Sequence, residues 1–119
     1  DRIIVVGPIA KSEVPDFLYR NHIFINTTHY ESFGIAVMEA AAAGLPIVST
    51  SVGEIPYLWT DGVDAMLVKD GDVHAMARAI ELIATDTELA NRLSAAARRK
   101  AEQYDWSRVI PLWKALACD

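Results

Sequence analysis

Ile23-Phe24-Ile25-Asn26-Thr27-Thr28-His29-Tyr30-Glu31-Ser32-Phe33-Gly34-Ile35-Ala36-Val37-Met38-Glu39 is the stretch that decides the fold. Ile23-Phe24-Ile25 is β-branched and aromatic, the composition of a strand. A polar segment follows. From Phe33 to about Ala43 the residues are apolar almost throughout, and Gly44 and Pro46 close the run. That is the length and end punctuation of a helix. Pro46 to Thr50 is apolar and β-branched again and reads as the next strand. Strand, polar loop, helix and strand in this order make a unit whose two strands pair in parallel.

Working outward, Ile3–Val6 is a short apolar run ending at Gly7-Pro8, which predicts a buried strand. Glu13–Arg20 predicts a short helix with Pro15 in its first turn, where proline is tolerated. Downstream, Ile55–Trp59 predicts a short helix, Asp61-Gly62 a turn, Ala65–Val68 a strand and Asp70-Gly71 another turn. Val73, Met76, Ala77, Ile80 and Ile83 recur at helical spacing. Thr85-Asp86-Thr87-Glu88 matches a capping box opening a helix through about Gln103. Leu89, Leu93, Ala96 and Ala97 give that helix one apolar stripe. Trp106 to Ala117 predicts a last helix, interrupted or kinked at Pro111. Trp59, Trp106 and Trp113 are expected to pack rather than to serve as sugar platforms.

The expected class is therefore α/β: a Rossmann-like parallel sheet of about four strands flanked by helices, with a helical C-terminal tail. Four strands are few for a doubly wound domain. The 119 residues read as one partial domain, 1–119, and as a piece of a longer protein or a processed product. Hydrophobic residues make up 52%, enough to bury a core. The net charge of −5 argues against nucleic acid as a partner. The single cysteine, Cys118, allows no intrachain disulfide and fits a reducing cytoplasm. No metal-ligand spacing and no Asp-x-Asp cluster occurs, so no metal is expected. The start carries no signal-peptide pattern, and no apolar run is long enough to cross a bilayer.

The segment from Thr28 to Glu39 carries the chemistry. In open α/β sheets ligands bind beyond the carboxyl ends of the strands. A helix N-terminus there presents free N–H groups and a partial positive charge, which suit a phosphate. Gly34 lets a ligand approach the backbone closely. Glu39 is the one polar side chain between Ile35 and Ala43. A carboxylate in such surroundings needs water or hydrogen-bond donors, and the hydroxyls of a ribose qualify. A plainer reading of spacing alone stays open: Glu39 as an exposed helix former, and Glu31 as an acidic residue favouring the helix N-terminus. His29 reads as a loop residue; His22 and His74 have no partner pattern. Arg98-Arg99-Lys100 near a helix C-terminus fits dipole contact and solvation.

The run Glu31-Ser32-Phe33-Gly34-Ile35-Ala36-Val37-Met38-Glu39-Ala40 resembles the E-x7-E signature of retaining glycosyltransferase family 4 (glycosyltransferase group 1). Ala43-Gly44-Leu45-Pro46-Ile47-Val48 resembles the family's A-x-G-x-P-V-V segment. Gly53, Asp61-Gly62, Leu67-Val68 and Trp106 follow in the family's order. The resemblance implies the C-terminal part of a GT-B fold donor-binding domain. In such enzymes the position of Glu31 hydrogen-bonds hydroxyls of the transferred sugar and serves catalysis. That of Glu39 binds the nucleotide ribose. Backbone N–H groups at Phe33, Gly34 and Ile35 meet the donor's phosphate or sugar, and the loop holding Ile9 lies near the base.

The implied substrate is a nucleotide-sugar, a UDP-, GDP- or ADP-sugar, with no bound cofactor. The sugar passes with retention to an acceptor hydroxyl on a lipid-linked or polysaccharide acceptor. The implied setting is a cytoplasmic enzyme of hexosyltransferase type, peripheral at the membrane when full-length. Three features depart from the pattern. The Arg/Lys pair that clamps the pyrophosphate and the N-terminal acceptor domain both lie upstream of the residues present. Glu54 and Tyr57 stand where the family commonly has Gly and Glu. The chain alone is thus expected to be inactive. The other class of function is a non-catalytic module that binds a nucleotide or a partner chain. Trp113, on a helix that normally returns to the missing domain, further implies exposed apolar surface and self-association.

Overall fold

The computed structural model describes residues 2–117; Cys118 lies outside them. Three parallel strands form one sheet in the order β1 (Phe24–Asn26), β2 (Ile47–Thr50), β3 (Met66–Val68). Phe24 is in register with Ile47, and Val48 with Met66. The helices are α1 (Val14–Tyr19), α2 (Ile35–Ala42), α3 (Ile55–Leu58), α4 (Val73–Thr85), α5 (Thr87–Ala101) and α6 (Trp106–Ala117). The α/β class, the parallel pairing and the flanking helices are as the sequence predicts.

β2 is the keystone because every residue in it is buried. Its side chains alternate between two cores. Ile47 packs with Val37 and Ala41 of α2, Ile55 of α3, Trp59, and Ala97 and Ala101 of α5. Val48 faces the other way, against Val68, Met76, Ala79 and Ile83, with Leu93 from α5. Ile47 and Val48 are both 0% exposed. Each contributes about 1.5–3 kcal/mol through apolar burial. α5 closes the domain by joining both cores, and Ser94 Oγ on it donates to the Gly44 carbonyl at 2.6 Å.

Polar ties surround this apolar centre. Lys100 of α5 is ion-paired with the buried Asp64, and its Nζ donates to the Leu58 carbonyl at 2.5 Å. The same ammonium lies 5.4 Å from the centroid of the Trp59 ring. Asp64 in turn accepts from the Thr60 N–H at 2.6 Å. Lys100 therefore does structural work, where dipole contact and solvation were expected.

Several expectations are corrected. Ile3–Val6 forms no strand: Ile3, Ile4 and Val5 are 85–90% exposed, and the run lies clear of the sheet. Apolar composition satisfies strand propensity, but a strand also needs a hydrogen-bonded neighbour, and none of the described residues supplies one. Three of the four expected strands thus form. The α5 cap is Asp86, which accepts from Leu89 N–H at 2.9 Å; Thr85 ends α4 and bonds back to Glu81. α5 stops at Ala101, and a 3-10 turn covers Glu102–Tyr104. α6 runs continuously through Pro111.

Trp59 packs as expected, at 2% exposure, but Trp106 and Trp113 on α6 are 72% and 66% exposed. The reason is geometric: α6 projects from the α5 corner and buries no residue of its own. In α4 the buried face is Met76, Ala79 and Ile83, while Val73 and Ala77 face outward. The radius of gyration, 15.4 Å, exceeds the roughly 13.5 Å of a compact chain this long.

Candidate functional site

Gly34 starts α2 with φ +82° and ψ 52°, a left-handed conformation natural to glycine. The first residue to bond back along the helix is Met38, whose N–H donates to the Gly34 carbonyl at 3.0 Å. The N–H groups of Ile35, Ala36 and Val37 therefore sit at the open head of the helix. A Cβ on Gly34 would come within 2.9 Å of Ile55 Cδ1, so α3 packs directly against this turn.

A groove of about 770 Å³ runs along the open side of α2, towards the corner between α5 and α6. Phe33, Ile35, Met38 and Glu39 line one wall, and Tyr104 and Trp106 the other. The Phe33 and Tyr104 rings meet edge to face at 5.9 Å. Glu39 also borders a second hollow of about 310 Å³, shared with Lys11, Val14 and Leu18. Glu39 as a whole is half-buried between the two, and its carboxylate has no partner among the described residues. α2 is not enclosed on all sides: Ile35 is 68% exposed, so the side of the helix bearing Glu39 faces open space.

Phe33, Ile35 and Glu39 are brought together in the groove, whereas Gly34, between the first two, is buried and does not line it. Glu31 does not line it. It precedes the Gly34 turn, half-buried, on a loop that later parts of the chain hold in place. Ile9 is half-buried and borders neither hollow.

The Glu31 loop is tied at three points that the sequence did not reveal. Thr50 Oγ1, at the end of β2, donates to the Thr28 carbonyl at 2.6 Å. His29 Nδ1 meets Asp70 Oδ1 at 2.6 Å. Gly53, at φ +55°, lies so close to the Glu31 carbonyl that an added Cβ would sit 1.6 Å from that oxygen. Ser49, buried beside Thr50, accepts from Asn26 Nδ2 at 3.1 Å. Buried polar groups at these strand ends are satisfied rather than spare.

Asp105 caps α6, accepting from Ser107 N–H at 2.8 Å and from Ser107 Oγ at 2.5 Å. The Ser107 hydroxyl, then its N–H, hold the Asp105 carboxyl below its ordinary value, with Arg108 assisting and slight burial opposing. A depressed folded-state pKa gives stabilisation that is present above the ordinary carboxylate range and lost as pH falls through the lowered value. We expect α6 to stay anchored from pH 7 to about pH 5 and to loosen below about pH 4. Fluorescence of Trp106 and Trp113 during acid titration checks this, and Asp105→Asn should flatten the transition.

Among the described residues no helix is long and apolar enough to cross a membrane. Comparison with known proteins places the chain. Residues 1–100 match the family described as glycosyl transferases group 1. The D-inositol 3-phosphate glycosyltransferase of Streptomyces avermitilis is 34% identical over 99 residues, covering 83% of this chain and 21% of that protein. The glycogen synthase of Mycobacterium tuberculosis is 31% identical over 105 residues, 87% of this chain and 25% of that one. The chain thus spans about a fifth to a quarter of these relatives' length. Anabaena HepE, in a crystal structure with UDP and glucose, superposes with a TM-score of 0.89 at 23% identity, over 100% of this chain and 33% of that one. With the matched family covering most of the sequence and the fold that of part of a GT-B C-terminal domain, this chain belongs to the glycosyl transferases group 1 family.

Proposed function

We propose that the chain is the nucleotide-sugar-binding part of a retaining glycosyltransferase of family 4, of hexosyltransferase type, whose acceptor-binding domain lies in the rest of a longer protein. The observation that carries this reading is Glu39, an unpaired carboxylate on the groove side of a helix whose free N–H groups open at Gly34. Glu39 would take the ribose hydroxyls, and the N–H groups of Phe33, Gly34 and Ile35 the diphosphate or sugar. Glu31 would hold hydroxyls of the transferred sugar, and the loop at Ile9 would flank the base. HepE holding UDP and glucose on the same fold supports a nucleotide-sugar donor over other phosphorylated ligands.

In the proposed reaction the bond from the anomeric carbon to the diphosphate oxygen breaks. A bond to the acceptor oxygen forms on the same face. The acceptor's proton goes to an oxygen of the departing diphosphate, which gains basicity as the bond breaks. Negative charge grows on the diphosphate, so fixed N–H dipoles at the head of α2 lower the barrier. No bound cofactor or metal is proposed for these residues. Cations for the diphosphate would come from the longer protein. The acceptor is proposed to be lipid-linked or a polysaccharide, met in the cytoplasm at the membrane periphery. The apolar face of α6, with Trp113 and Leu116 exposed, is proposed to pack on the missing domain and to cause self-association when uncovered.

Calorimetry with UDP-, GDP- and ADP-sugars on the full-length protein, combined with turnover assays, tests the reading. Glu39→Ala should weaken donor binding about tenfold, and Glu31→Ala should lower turnover about 10–100-fold, the range for lost hydrogen bonds to a charged group. Wild-type behaviour in both variants would remove the site assignment. Binding without turnover in the full-length protein would favour the non-catalytic module.

A further inference from the structure

We propose that Asp70 is a positioning residue: acting through His29, it sets the placement of Glu31 from across the sheet. The proposal rests on the reading that Glu31 holds the transferred sugar. Three observations carry it. His29 lies two residues before Glu31, on a loop where Tyr30 is 93% exposed and unsupported. His29 Nδ1 and Asp70 Oδ1 are 2.6 Å apart, within hydrogen-bonding distance. Asp70 sits in the turn between β3 and α4, a part of the chain anchored by the buried Val68 and Met76. With the carboxylate ionised, Nδ1 carries the shared proton and donates it to Oδ1.

The tie completes a pattern. The Thr50 hydroxyl holds the loop at Thr28, and Gly53 limits it at Glu31. Without Asp70 the stretch between those points would be free to rotate, because its remaining side chains are exposed. His29, Asp70, Lys69 and Thr50 together line a hollow of about 310 Å³ beyond the carboxyl ends of the strands. The tie therefore stands where the sheet presents its ligand side. Both partners are largely solvated, with side chains 71% and 41% exposed. Such a pair adds little to global stability. Its consequence is local placement, felt where an ångström matters.

The test uses the full-length protein. Asp70→Ala should lower kcat about fivefold, leave the affinity for free nucleoside diphosphate unchanged, and leave the melting temperature within about 1 °C. Asp70→Asn should restore kcat to within about twofold, because its amide oxygen still accepts from Nδ1–H. His29→Ala with Asp70→Ala should be no worse than either alone. If Asp70→Ala turns over normally while Glu31→Ala is impaired, this proposal fails and the site reading stands. If Glu31→Ala is also normal, the reading beneath it fails. Equal weakening of nucleoside diphosphate and nucleotide-sugar binding by Asp70→Ala would mean general loosening and would overturn the positioning role.

Discussion

Gly53→Ala should lower kcat/KM of the full-length protein by about 100-fold or more and destabilise the fold by at least about 1–2 kcal/mol. Two causes act together. The backbone at Gly53 has φ +55°, where an L side chain is strained. The new methyl would also sit 1.6 Å from the Glu31 carbonyl oxygen and 2.8 Å from its carbon. A carbon and an oxygen approach no closer than about 3.3 Å in favourable contacts, so one backbone must give by roughly 1.7 Å. Neither can rotate aside as a side chain would. The movement falls on the residue proposed to hold the sugar. Gly62→Ala is the matched control: φ is +73°, but nothing lies within 4 Å of its Cβ position. It should show the conformational cost alone, in a melting curve, with turnover unchanged. Equal turnover in the two variants would sink the claim that Gly53 supports Glu31 by contact.

Asp64→Ala should cost about 3 kcal/mol of folding stability, read from denaturant unfolding. The Asp64 side chain is 6% exposed and pairs with Lys100, itself 23% exposed. Removing the carboxylate leaves a largely buried ammonium with one carbonyl and a ring face for company. It also leaves the Thr60 N–H without its acceptor. Lys100→Met should cost less, because an apolar side chain can lie over the Trp59 ring and the Asp64 carboxylate keeps the Thr60 N–H. The reverse ranking would mean that the pair contributes through Lys100's contacts with carbonyl and ring instead. Trp59 Nε1 is buried with no partner among the described residues, so this corner has little slack for a second unsatisfied group.

Legibility followed the range of each interaction. α2, β2 and the Gly44 stop were plain because their signals are local: an apolar run, β-branched residues, glycine then proline. The pairing failure of Ile3–Val6 was not, because composition records what a strand prefers and not whether a neighbour exists. α6 was legible as a helix, yet its exposure was hidden, since amphipathic spacing looks the same with and without a partner surface. Within the site, Glu39 was visible as one charge in an apolar run, and Gly34 as a turn at a helix head. Asp70 was legible only as a turn residue and Gly53 only as a glycine in the family's order; their hold on the Glu31 loop was not, because it depends on meeting a loop tens of residues earlier. Asp86 rather than Thr85 as the α5 cap is a smaller case: two adjacent capping residues compete, and the helix corner decided between them.

The three ties on the Glu31 loop share a direction: each comes from residues that follow it in the chain. Thr50 lies 22 residues beyond Thr28, and Asp70 lies 41 residues beyond His29. At ribosomal rates of about 5–20 residues per second, the last tie is made roughly 2–8 s after the loop itself is synthesised. During that interval α2 can form while the loop leading into it remains unsettled. The cores that seat α2 and β2 are completed later still, by α4 and α5, so all of the loop's partners emerge before the scaffold is closed. A slow stretch of translation placed before Asp70 would prolong the loop's exposure, whereas one placed after Ala101 would let the loop dock on closed cores.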